Sequence, residues 1–240
     1  MYGSRIVLSC PTSHWRPNLA RRLPESAQFR RWAAERPSKM KSTFTKNFIK
    51  ANKLSDSEFN EWLLTSGMLF EATNIWWGNQ NIRKSQHEGI DLGFYRNRNQ
   101  EVIGFDKSTK ISAIFAGVVV GICDDLLGIS VFMIHKIIDI GNRELCSIFG
   151  HIKPGSDIYS GKILKEGEII GSIADVEKSS VKPHLHITMG WVEKEITDDV
   201  LDWNVIGKSE VLELIDPIEI IGRYSIVPTS TILANKVAKE

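Results

Sequence analysis

"KPHLHITMGWV", Lys182 to Val192, is the stretch on which a reading of this chain turns. Its apolar and β-branched residues bounded by Pro183 read as a strand. Side chains on a strand alternate between faces, so His184, His186 and Thr188 share one face. Leu185, Ile187, Met189 and Trp191 share the other, and that set makes a core face. The two imidazoles are therefore expected to point together, away from the core. Such a pair is either incidental or half of a metal site, and the other half must lie elsewhere in the chain.

A candidate lies about a hundred residues upstream, in "SQHEGIDLGFY", Ser85 to Tyr95, where His87 precedes Asp91 by four positions. Zinc takes nitrogen and oxygen ligands in a tetrahedron, and catalytic sites keep three protein ligands with the fourth position for water. His87, Asp91 and one histidine of the H-x-H pair make such a set. The other histidine then stands near the water, where a general base must be. His151 in "SIFGHIKPG" ends an apolar strand before a Pro-Gly turn and can complete the polar cluster. Glu88 follows a ligand but is read as a solvent-facing or outer carboxylate. The motif is not the helical H-E-x-x-H, and Gly89 does not suit a helix interior.

From His87 onward the text is one of short strands and turns. "ISAIFAGVVVGI" and "GISVFMIHKI" are separated by the turn-like "CDDLLG", and "ELCSIFGHI" follows the turn signal "DIGN". "YSGKILKEGEIIGSIA" holds two glycine turns, and "HLHITMGWV" and "VLELIDPIEII" close the region. The fold class expected is mainly β, with an antiparallel sheet, sandwich or barrel. Before His87, "LSDSEFNEWLLTSGM" reads as a helix, with Ser55 and Glu58 as a capping box and Gly67 at its end. Residues 1 to 37 mix Pro, Arg and Ser as an irregular arm, with room for one helix at "ESAQFRRWAAER".

In order, "HEGIDLG", "IFGHIKPG", "ILKEGEIIGSI", "PHLHITM" and "LIDPIEI" resemble the lysostaphin/LytM-type zinc metallopeptidases that cut peptidoglycan peptides. The resemblance covers roughly residues 80 to 222. It implies one zinc per chain held by His87, Asp91 and His186, with His184 as catalytic base and His151 assisting it. It also implies an antiparallel sheet that floors a narrow groove, and peptidoglycan stem or cross-bridge peptides as substrate. The domains expected are a basic, partly helical segment at 1–75, the peptidase domain at 76–222 and a tail at 223–240. "ADVEKSSVK", bulkier and more charged than the small-residue stretch usual in the family, and "EKEITDDVLDWNVIGKSE" are expected at the groove rim. His135 is read as structural, His14 has no role, and "WWGNQN" either packs as a linker or lines or plugs the groove.

A 42% hydrophobic and 25% charged chain of 240 residues is that of an ordinary globular protein with one core and a smaller appended segment. No apolar run reaches the roughly 18 residues of a membrane span, and the start "MYGSRIVLSC" shows no legible export signal. Localisation is therefore not legible, while the resemblance implies the periplasm or cell envelope. Cys10, Cys123 and Cys146 are too scattered for a disulfide framework or a cysteine-held zinc. Residues 1–53 carry 12 Lys/Arg against 2 Asp/Glu, and the remainder 18 against 27. That basic arm suits an anionic wall polymer or lipid surface, and it lacks the motif of a specific nucleic-acid binder. The alternative function is a non-catalytic wall-binding or regulatory module on the same fold. A biotinyl- or lipoyl-type carrier is set aside, because "SKMKS" is inverted and in the wrong segment.

Overall fold

A computed structural model describes residues 42–78, 82–176, 181–194, 201, 203–206 and 211–233. The irregular arm expected at 1–37, with its helix, lies outside the described residues, as does most of the basic stretch 1–53. So do 79–81 of the "WWGNQN" segment, 177–180 of the first expected rim segment and most of the second. The described residues belong to one compact unit beginning at Ser42.

The fold is mainly β, as expected. A helix at Phe44–Ala51 precedes β1 (Glu61–Leu64), β2 (Ile90–Leu92), β3 (Phe94–Arg96), β4 (Val102–Gly104) and β5 (Lys110–Ser112). Then come β6 (Gly117–Asp124), β7 (Ile129–Ile140), β8 (Arg143–Pro154), β9 (Ile163–Leu164) and β10 (Ile169–Ile173). β11 (Leu185–Glu193), β12 (Leu212–Ile215) and β13 (Tyr224–Ile226) complete the set. The larger sheet runs β12-β11-β8-β7-β6-β9, with β2 on β11 and β10 between β8 and β5. β2 pairs with Leu185–Ile187 and β12 with Met189–Val192, so these two share one edge of β11 end to end.

Antiparallel register decides which residues share a face, because partners directly opposite point the same way. Thr188 pairs with Ile148, and Ile148 with Phe132. The histidine face of β11 therefore continues into an apolar cluster of Phe132, Ile134, Cys146, Ile148 and Val192, which Leu201 and Ile206 cover. This corrects the expectation that the imidazoles point away from the core. His184, His186 and Thr188 are all buried, and β11 is buried on both faces up to Val192. On the opposite face Met189 pairs with Ser147, and Ser147 with Met133. His135 belongs to that opposite face, where its Nε2 meets Ser147 Oγ at 2.7 Å and its Nδ1 meets Ala116 O at 3.0 Å. It is the satisfied structural histidine the sequence suggested.

The smaller sheet runs β13-β1-β3-β4. The segment read as a helix at 55–67 instead makes a turn, strand β1 and a short 3-10 helix at Ser66–Met68. The capping contact does form, since Ser55 N–H donates to Glu58 at 2.7 Å, but it closes only a turn. Trp62, Leu63 and Leu64 are consecutive and fully buried. A lone helix stripe cannot bury three successive residues in that way, whereas a strand enclosed on both faces can. β1 pairs antiparallel with β3 and parallel with β13. Trp62 centres an aromatic cluster with Phe44, Phe48, Phe59, Tyr95 and Phe105, the Phe48 and Phe59 rings lying 4.7 and 4.9 Å away. Its indole N–H lies 3.0 Å from Ile221 O and 2.8 Å from Thr45 Oγ1. Strand β1 and the strand after 222 are thus paired within one sheet with β3 and β4. "LIDPIEI" ends likewise in a 3-10 helix at Pro217–Ile220.

Phe48→Ala is expected to destabilise the protein by about 3–5 kcal/mol, the range for deleting a buried phenylalanine. Urea unfolding followed by tryptophan fluorescence measures it. A second expectation concerns pH. Burial pushes the His135 imidazole down to about 4, against an ordinary value near 6.5. Between those values the unfolded chain binds the proton and the folded one does not, so stability falls as pH drops from about 6.5 towards 4. His135→Gln should show a smaller loss over that window in guanidinium titrations at stepped pH.

Candidate metal centre

The centre is assembled by a cross-strand pair and a loop. In the register of β2 against β11, Asp91 sits directly opposite His186. Gly89 makes that approach possible: a Cβ there would lie 2.1 Å from Ile187 O. Any side chain would lever β2 off β11. His87, four residues before Asp91, is held by its backbone, which exchanges hydrogen bonds with Ala72 O at 3.1 Å and Glu71 N–H at 2.8 Å.

His87, Asp91 and His186, all buried, place one donor atom each at a common point. His87 Nε2 lies 3.1 Å from His186 Nδ1 and 3.2 Å from Asp91 Oδ1, and His186 Nδ1 lies 2.9 Å from Asp91 Oδ1. Three ligands on a tetrahedral zinc at about 2.0–2.1 Å would stand roughly 3.3 Å apart. The triad fits that spacing, drawn in by a few tenths of an ångström. The remaining polar atoms are also engaged as metal ligands require. His87 Nδ1 faces Leu69 O at 2.9 Å, which only accepts, so Nδ1 carries the hydrogen and Nε2 keeps its lone pair. His186 Nε2 meets Thr188 Oγ1 at 2.8 Å, which can take its hydrogen and free Nδ1. Asp91 Oδ2 accepts from Trp76 Nε1–H at 2.7 Å, and Arg83 stands 3.5 Å off.

Burial alone would raise the Asp91 carboxyl. The facing His87 and His184 imidazoles, with the His186 and His87 ring nitrogens at hydrogen-bonding distance, hold it well below the usual carboxylate range. Asp91 is a carboxylate at neutral pH, as a ligand must be.

His184 is brought beside the triad and is not part of it. Its Nδ1 faces Lys182 O at 2.8 Å and so holds the hydrogen. Its Nε2 is buried without a hydrogen-bond partner, 3.7 Å from Asp91 Oδ1. Burial pushes this imidazole down to about 4, against the attraction of Asp91. A neutral imidazole with an unengaged buried lone pair is what a general base needs.

His151 stands 4.8 Å from the His184 ring and 5.8 Å from the His186 ring. It is not at a strand end, as the sequence suggested, but inside β8. Val131 pairs with Phe149 and Ile129 with Ile152, so β8 carries one residue more than β7 between them. That is a β-bulge at Gly150–His151, a device that re-aims a side chain. His151 has a φ of 63°, in the left-handed region that costs a non-glycine residue of order 1–3 kcal/mol.

The five predicted residues thus converge in one cleft of about 370 Å³, whose lining also includes Trp77, Arg83, Glu88, Asp125 and Trp203. Three of these were not assigned from the sequence. Arg83 lies over the Trp77 ring at 5.3 Å and bridges to Gly67 O at 3.0 Å. Trp203, within the expected rim segment, packs edge-on to His186 at 5.6 Å. Asp125 sits in "CDDLLG", which reads only as a turn. Of the described part of "WWGNQN", Trp76 packs at 5.2 Å from His184 and Trp77 lines the cleft.

No protein-family model matches the sequence, and no curated protein matches it significantly. Among solved structures, the chain is similar to the solution structure of lysostaphin, at 22% identity over 50% of this chain and 43% of that one, with a TM-score of 0.33. It is similar to a chain of the SpoIIQ–SpoIIIAH pore-forming complex, at 19% identity over 63% and 73%, TM-score 0.34. A putative M23 peptidase from Pseudomonas aeruginosa aligns at 19% identity over 75% and 61%, TM-score 0.34. The match spans less than half of the lysostaphin chain. Scores of this size carry no argument, and the case for function rests on the residues themselves.

Trp76→Phe keeps most of the apolar packing but removes the hydrogen bond to Asp91 Oδ2. Zinc affinity is expected to fall by about 10- to 100-fold, the usual effect of losing an outer partner of a ligand. Competition with a chromophoric chelator reads it directly.

Proposed function

We propose that this protein is a zinc endopeptidase that hydrolyses peptide bonds in peptidoglycan stem or cross-bridge peptides. One observation carries the reading. Three donor atoms, His87 Nε2, Asp91 Oδ1 and His186 Nδ1, stand 2.9–3.2 Å apart beside the unpartnered, buried Nε2 of His184. Ligands without a base would suit a structural metal, and a base without ligands would not need this spacing. Zinc, when bound, supplies a Lewis acid that polarises the scissile carbonyl and brings the pKa of water towards neutrality.

The chain's own groups do the rest. His184 Nε2 takes the proton from the attacking water and returns it to the leaving amine, so that the proton removed at the start is consumed at the end. His151, across the cleft, presents its Nε2 to accept a hydrogen bond from the attacking water and orient it. Trp77 and Trp203 wall the cleft and keep bulk water from the reacting atoms. The ordered motifs of residues 80–222 resemble peptidoglycan peptidases, and that resemblance supplies the substrate class. The periplasm or cell envelope follows as the place of action. The basic segment 1–53 is assigned an anionic wall polymer or lipid surface as its partner.

The test separates the two histidines of the H-x-H pair. His186→Ala is expected to lose stoichiometric zinc and activity together. His184→Ala should keep zinc while turnover falls about 10²- to 10⁴-fold. Zinc is measured by elemental analysis, and turnover by mass spectrometry of fragments from purified sacculi. Zinc retained in His186→Ala but lost in His184→Ala would reverse the roles. A zinc-loaded wild type that releases no fragments from any chemotype would favour the binding-module alternative.

A further inference from the structure

Asp125 lies in the turn between β6 and β7 and belongs to no motif of the sequence, yet its carboxylate is the hub of the bulge that presents His151. Oδ1 faces His151 Nδ1 at 2.9 Å, and Oδ2 accepts the His151 backbone N–H at 2.8 Å. One carboxylate thus grips both ends of the same residue. The remaining bonds fix the carboxylate in turn. Oδ1 accepts from Leu127 N–H at 2.9 Å and Gly128 N–H at 2.8 Å, and Oδ2 from Ser130 Oγ–H at 2.6 Å. Ser130 Oγ accepts from Trp203 Nε1–H at 2.8 Å. Ser130 is also the residue on β7 that faces the extra residue of β8.

A turn needs no such arrangement. An Asx-type turn uses one side-chain oxygen and the two backbone N–H groups that follow. Here that is satisfied by Oδ1 alone. The second oxygen, the contact to the imidazole and the left-handed backbone at His151 are additional. The Asp125 side chain is nearly fully buried, at 4% exposure, and burial raises the cost of a carboxylate without a partner. The bonds from His151 and Ser130 meet that cost.

We propose, resting on the peptidase reading above, that Asp125 is a positioning residue for hydrolysis. It holds His151 as the Nδ1–H tautomer in a backbone conformation the residue would not otherwise keep, and turns Nε2 towards the cleft. A carboxylate oxygen has no hydrogen to give, so the hydrogen between it and Nδ1 belongs to the imidazole. Nε2, across the ring from Nδ1, is then the atom presented to substrate. Without Asp125 the ring loses both its tautomer and its anchor, and the strained backbone loses the bond that offsets it. The effect reaches the reaction only through His151.

The experiment uses the full chain with zinc added, in four forms: wild type, Asp125→Asn, His151→Ala and the double variant. In wild type labelled with ¹⁵N-histidine, His151 should show a protonated Nδ1, and Asp125→Asn should lose that signature. Asp125→Asn should retain stoichiometric zinc, and kcat on a peptidoglycan peptide should fall about 10- to 100-fold, at or below the low end for a whole acid–base group, with KM little changed. In the His151→Ala background the same substitution should cost no further activity, since coupled residues fail to add. An equal loss with and without His151, or a wild-type His151 protonated on Nε2 alone, overturns the proposal. The tautomer reading does not depend on turnover. It decides the case even if Asp125→Asn fails to fold. A wild type inert on every peptide, with the Nδ1–H signature intact, would refute the peptidase reading and leave the Asp125–His151 coupling standing.

Discussion

The register of β2 against β11 is the constraint on which the site depends. Asp91 and His186 can offer donor atoms to a common point because they are directly opposite residues on paired strands. A slip of one residue would turn Asp91 to the other face of the sheet. The register is held by three things at once. Gly89 lets the backbones close, Ile90 and Leu92 bury their side chains on the core face, and Trp76 clamps the free oxygen of Asp91 from outside. Each is a packing or hydrogen-bonding requirement, and together they bring two charged or titratable groups into a volume from which water is largely removed.

Burying such groups is costly unless each is paired, and the centre is organised around that cost. The carboxylate of Asp91 is surrounded by imidazoles and an indole N–H. The outward nitrogens of His87 and His184 are given to backbone carbonyls. The atom left over is His184 Nε2, a buried acceptor without a hydrogen-bond partner beside the triad. His135 makes the contrast. It is as deeply buried, one sheet face away, but both of its nitrogens are satisfied and nothing converges on it.

The sheet also sets apart two histidines that look alike in the sequence. His151 and His184 come to the same cleft by different routes, one by a bulge in β8 and the other at the start of β11. A regular strand would have turned His151 onto the core face with Phe149's neighbours, away from His184. The added residue and the positive φ redirect it, and a carboxylate from the β6–β7 turn keeps it there. The aromatic groups around Trp62 have a related part at the other sheet. They join the helix at Phe44–Ala51, β1 and the segment near Ile221 into one packed unit, so that residues on both flanks of the motif region support it.

Much of the centre was legible in one dimension. Zinc-type ligands are a short list of residue types, and strand periodicity groups His184 with His186 whatever surrounds them. H-x-x-x-D with an intervening glycine, followed by H-x-H, therefore named four of the polar residues, "SIFGHIKPG" added His151, and the run of short strands and turns indicated the mainly β class. The helix assigned at 55–67 failed because a capping pair is a local signal. Three consecutive buried residues are a tertiary fact, supplied by β3 and β13 from 30 and 160 residues away. The burial of the imidazole face had the same origin, since its cover comes from Leu201, Trp203 and Ile206, far along the chain. Asp125 was invisible because a turn aspartate three residues before a glycine is fully explained by its own neighbours. Its bond to His151 exists only once β7 and β8 are paired with an extra residue. What the chain determined by itself was which groups could do chemistry, because that is written in side-chain identity. Which of them share a volume, and in which tautomer, was decided by register and bulge, because those depend on contacts no local stretch contains.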